Sequence, residues 1–101
     1  MGTRLPGYYL RELRAQAGLT LSEVEHRSRR LAEAKQNPEF LITATRLSQL
    51  ENIRSLPSLF KLASLSVIYK VPISAFLHAY GIDVSPSEPE EKAPEMEKEA
   101  A

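Results

Sequence analysis

A chain of 101 residues with no cysteine, no tryptophan and balanced charge, 13 Lys+Arg against 13 Asp+Glu, has room for one small domain. Lack of cysteine excludes a disulfide framework, a thiolate nucleophile and a zinc-knuckle site, and suits the cytoplasm, which is the expected compartment. The longest nearly apolar stretch, Leu62 to Val71, is interrupted by Ser64, Ser66 and Lys70 and falls short of the ~20 residues a membrane span needs, and no signal-peptide core opens the chain.

Apolar residues recur at helical spacing throughout, and no period-2 run points to strands. A first helix is predicted from Tyr8 to Ala17, with Leu10, Leu13 and Ala17 on one face and Gly18 as its stop. Thr20-Leu21-Ser22-Glu23 is a capping box, in which the Thr20 hydroxyl accepts from an orphan amide and Glu23 reaches back to the cap. The second helix then buries Val24 and Ser28 and runs to about Gln36, where Asn37-Pro38 breaks it. The PEFLI connector at 38–42 is expected to pack Phe40 and Ile42 onto the core. Thr43 caps a third helix, to Asn52, that turns Leu47 and Leu50 inward. A fourth opens at Pro57-Ser58 with an apolar stripe of Leu59, Leu62, Ala63, Leu65 and Ile68. Pro72 introduces a fifth, anchored by Ile73, Phe76 and Leu77 and ended by Gly81. The expectation is an all-α fold of five helices.

The charge is unevenly placed. Residues 83–101 hold 7 acidic and 2 basic side chains, net −5, leaving net +5 on residues 1–82. That acidic, proline-containing tail has too little apolar surface to offset the entropy of ordering it and is expected to be disordered. The folding unit is then residues 4–82, a marginal core that dimerisation would support.

Leu13-Arg14, Gly18-Leu19-Thr20 and Glu23-Val24 resemble the opening of a Cro/lambda-repressor-like (XRE-type) helix-turn-helix domain. The run Ile42 to Asn52, ending in Leu50-Glu51-Asn52, is similar to the recognition helix of that family. Pro57-Ser58-Leu59, Leu62-Ala63 and Val71-Pro72-Ile73 resemble its fourth helix and the step into the fifth. The likeness covers about residues 8–78. Three departures stand out. About a dozen extra residues, Arg29 to Phe40, separate the second helix from the third, which family members join by a short turn that fixes their angle. A lengthened second helix is expected, with Phe40, Leu41 and Ile42 restoring the join. Leu21 stands where relatives often place a polar phosphate ligand, and Ile53 where they prefer glycine.

The resemblance implies a sequence-specific DNA-binding transcriptional regulator that reads the major groove with the helix at 43–52, as a homodimer on double-stranded DNA. Base reading then falls to Ala44, Thr45, Arg46 and Gln49. The Gln49 amide can bond N7 and N6 of adenine, Arg46 can take guanine, and Thr45 and Ala44 can pack on a thymine methyl. Orphan amides at the start of the helix would attract phosphate. Thr43, Asn52, Arg54 and Ser55 would meet the sugar-phosphate backbone, and Arg27 and Arg30, clustered with Arg29, would widen the footprint or form salt bridges. Glu51 is implied to pair with Arg14, fixing the third helix to the first. An enzyme is not expected: His26 and His78 are on different helices without partner ligands, and no phosphate-binding glycine loop or nucleophile elbow is present. No cofactor, metal, small-molecule substrate or membrane is implied. The alternative reading is a protein-interaction module on the same scaffold, as in bacterial cytoskeletal adaptors and some antitoxins. The acidic tail reads either as a linker or as a competitor of DNA for the basic face.

Overall fold

A computed structural model describes residues 5–82. Residue 4 and the tail expected to be disordered, 83–101, lie outside the described residues. The described chain is all-helical, with five α-helices and one short 3-10 turn: α1 (Pro6–Ala17), α2 (Leu21–Lys35), the turn Pro38–Phe40, α3 (Ala44–Asn52), α4 (Leu59–Tyr69) and α5 (Ile73–Ala79).

The helix ends follow local chemistry. Proline occupies the first helical position of α1, where no amide is needed, and Gly18 closes it at φ 71° in a Schellman-type end, Leu19 donating to the Arg14 carbonyl. The Thr20–Glu23 box forms in both directions, at 3.0 Å to the Thr20 hydroxyl and 2.7 Å back to the Thr20 amide. Thr43 and Ser58 cap α3 and α4 through their hydroxyls. Gln36 (φ 52°) and Lys70 (φ 59°) end α2 and α4 in the left-handed region without glycine. After α3 the chain leaves through Ile53 in extended conformation, φ −125°, so glycine is not required there.

Leu10, Val24, Ile42, Leu47, Leu50, Leu65 and Phe76 are fully buried, and Leu62, Ile68 and Tyr69 nearly so. These residues draw on all five helices and on the Ile42 connector, and the Tyr9 and Phe76 rings meet edge-on at 5.9 Å. Three expected core positions differ. Ala17 is exposed, because the last turn of α1 runs past its partners. Leu59 is 67% exposed, because at 100° per residue it stands roughly 110° round α4 from the buried set Leu62, Leu65, Ile68 and Tyr69. Phe40 is half-buried and packs edge-on against Phe60, at 5.3 Å, at the rim of the core.

The extra residues between α2 and α3 are held by α4. Lys61 donates to the carbonyls of Glu39 (3.2 Å) and Leu41 (2.9 Å), and Ser64 donates to that of Phe40 (2.6 Å). The α2–α3 angle is set by two polar joins. The Ser28 hydroxyl accepts the Ile42 amide at 2.8 Å while donating to the Glu25 carbonyl at 2.9 Å, and Glu25 Oε1 accepts the Ala44 amide at 2.7 Å. These contacts do what a short turn would otherwise do. Among the described residues no single helix is long and apolar enough to cross a membrane.

Candidate nucleic-acid interface

The outer edge of α3 is the surface that the resemblance singles out. Its inward positions, Leu47, Leu50 and Glu51, are buried, which turns Thr45, Gln49 and Asn52 to the exposed side. Residues 29–40 do not cover this edge: Thr45 and Gln49 stay exposed, and the carbonyls of Glu39, Phe40 and Leu41 are held by Lys61 and Ser64 of α4.

Around that edge the expected residues divide. Thr45 and Gln49 are exposed, and Ala44 is half-buried with its amide given to Glu25. Arg46 is half-buried and already engaged, donating to the Leu56 carbonyl at 3.2 Å and to Gln49 Oε1 at 3.3 Å. That second bond orients the Gln49 amide while leaving one lone pair on its oxygen and both amide hydrogens available. The first-turn amides are less free than the resemblance implies, because Ala44 donates to Glu25 and Arg46 to the Thr43 hydroxyl. Glu25 also receives Arg29 at 2.6 Å, and both bonds, that of Ala44 first, hold its carboxyl below the ordinary value of 4.5.

Thr43 is exposed and Ser55 half-buried; Arg54 is exposed and makes no ion pair within the described residues. Asn52 is committed to the scaffold: its Nδ2 donates to the Ser48 carbonyl at 2.8 Å and its Oδ1 accepts from Arg11. Arg27 and Arg30 lie elsewhere. They line a hollow with Leu31 of α2, Val67 and Ile68 of α4, and Lys70, which ends α4. At about 100° per residue, the Arg27–Arg30 stripe and the Glu25–Arg29 stripe that faces α3 occupy opposite flanks of α2.

Arg14 and Glu51 are brought together as a two-pronged pair. Arg14 Nε donates to Oε2 at 2.7 Å and a terminal nitrogen to Oε1 at 2.8 Å, while its other terminal nitrogen holds the Leu19 carbonyl at 3.1 Å. The Glu51 side chain is 2% exposed and that of Arg14 20%. This pairing raises the Arg14 pKa, so the guanidinium stays charged. Burial, and then the Glu51 charge, pushes the phenol of neighbouring Tyr69 up from its ordinary 10.

Two further positioning features had no sequence signal. Arg11 reaches Asn52 and sits 3.8 Å from Glu51, a contact spanning some forty residues of chain. Gly7 abuts the last turn of α3, where a Cβ would stand 2.5 Å from the Glu51 carbonyl oxygen and collide with that of Leu50 as well. Only a signal for close helix approach would have found it, and one glycine near a helix start carries none. His26 and His78 are both exposed, on α2 and α5. Comparison of the chain with family models, curated proteins and solved structures found no match.

Proposed function

We propose that this chain is a sequence-specific DNA-binding transcriptional regulator of the Cro/lambda-repressor-like type, working in the cytoplasm as a homodimer, with α3 entering the major groove. The observation that carries the reading is the uncovered polar edge of α3: Thr45 and Gln49 stay exposed although a dozen extra residues precede the helix. In this reading Gln49, steadied by Arg46, bonds an adenine, Thr45 and Ala44 contact a thymine methyl, and Arg54 with Thr43 and Ser55 meets phosphate. Arg14, Glu51, Arg11 and Asn52 hold α3 against α1 so that its edge enters at a defined angle. Two copies would place their α3 helices ~34 Å apart on a near-palindromic site.

A salt series of fluorescence anisotropy with mixed genomic duplexes tests the reading. Affinity should fall by about 0.9 log units per log unit of salt for each phosphate neutralised. Absence of binding even at low salt overturns it. One observation favours a second reading, a protein-interaction module. Ile53 and Leu56, in the link after α3, and Leu59 and Phe60, in the first turn of α4, are exposed large apolar residues within eight positions of one another in the chain, as a docking strip for another protein would be. That reading predicts little DNA binding at any salt.

A further inference from the structure

The hollow between α2 and α4 combines charge with an apolar floor. Arg27 and Arg30 from α2 and Lys70 at the end of α4 surround Leu31, Val67 and Ile68, and Val67 is 54% exposed. None of the three cations has a carboxylate partner among the described residues, whereas Arg14 and Arg29 are each paired. The flank is opposite to the one that joins α3, so a duplex seated on α3 does not account for it. Segment 83–101, attached directly to Ile82, has the complementary composition: Asp83, Glu88, Glu90, Glu91, Glu95, Glu97 and Glu99 against Lys92 and Lys98, with Val84 and Met96 as its larger apolar side chains.

We propose that residues 83–101 dock in cis on the Arg27–Arg30–Lys70 hollow, their carboxylates on the three cations and an apolar side chain against Val67. Reach is not limiting: nineteen residues span up to ~60 Å, whereas a domain of this size has a radius of gyration of about 12 Å. Each exposed ion pair is weak, but the covalent link gives the tail a local concentration on the order of millimolar, enough to populate a weak contact. The contact does not depend on α3 binding DNA, and it leaves the α3 edge open.

The absence of cysteine gives a direct test. A nitroxide on Ala93→Cys in the full-length, 15N-labelled chain should broaden the amides of residues 27–31 and 67–70 several-fold more than those of Thr45 and Gln49. The difference should vanish in about 1 M salt, where the screening length falls to ~3 Å. It should also vanish in an Arg27→Glu, Lys70→Glu variant. Should that variant fail to fold, Glu88→Gln, Glu90→Gln, Glu91→Gln removes the same attraction from the other side. Uniform broadening, broadening centred on α3, or a pattern indifferent to these substitutions overturns the proposal. So does the same pattern in 15N chains without nitroxide mixed with spin-labelled unenriched chains, which would mean that the tail reaches a second copy.

Discussion

Replacing Glu51 by alanine tests how α3 is held. The substitution deletes both oxygens that Arg14 bonds, at 2.7 and 2.8 Å, from a site only 2% exposed, and leaves a guanidinium 20% exposed with the Leu19 carbonyl as its one remaining hydrogen-bond partner among the described residues. Breaking a fully buried pair costs about 3–5 kcal/mol. The partial exposure of Arg14 lets water recover some of that, so a loss of about 2–4 kcal/mol is expected here. A domain of this size has a total stability of about 4–12 kcal/mol, so about a sixth or more disappears. The midpoint of thermal unfolding should fall by roughly 10–25 °C. Gln49→Ala, by contrast, removes an exposed side chain and should stay within about 0.5 kcal/mol of the parent. Urea and thermal unfolding followed by far-UV circular dichroism measure both. Replacing both partners, as in Arg14→Met with Glu51→Leu, should recover much of the loss, because no unpaired charge remains. Equal midpoints for Glu51→Ala and Gln49→Ala would mean that the Arg14–Glu51 pair does not hold α3.

Gly7→Ala should destabilise by about 3 kcal/mol or more, because the new Cβ meets backbone oxygens of α3 that cannot yield without moving the helix; denaturant midpoints equal to the parent would contradict the close approach. Tyr69→Phe should be neutral or stabilising by about 1 kcal/mol near neutral pH, since its buried hydroxyl has no hydrogen-bond partner among the described residues. Because folding raises the Tyr69 pKa above 10, the stability linked to its neutral form is complete below pH 10 and drains away above it. Melting curves taken into the alkaline range should therefore fall less steeply for Tyr69→Phe than for the parent, and parallel profiles would count against the assignment.

Much of the helical frame was legible because the signals are local. The Thr20–Glu23 box, the Thr43 and Ser58 hydroxyls and Gly18 each act within a few residues, and each helix starts or stops where that chemistry puts it. What the sequence could not convey depends on distant partners. The 3-10 turn at Pro38–Phe40 is held by Lys61 and Ser64, more than twenty residues onward. Leu59 and Leu62 are three residues apart yet only Leu62 is buried, since which side of a broad apolar stripe meets the core is set by partners distant in the chain. The same limit applies to the candidate site. Spacing and resemblance mark Thr45 and Gln49, which are exposed, but nothing local reveals that Arg46 turns to the Leu56 carbonyl, that Glu25 occupies the Ala44 amide, or that Arg27 and Arg30 face α4.

Selection of bound duplexes from a random pool, run in parallel for the parent chain and for Gln49→Ala, examines sequence reading by α3 most directly. Base reading by a pair of α3 helices predicts a near-palindromic consensus with half-sites about one helical turn, ~34 Å, apart. It also predicts a preference weakened by about 1–3 kcal/mol at one base pair per half-site in the variant. A pool that shows no enrichment, or a consensus identical for the two chains, would contradict it.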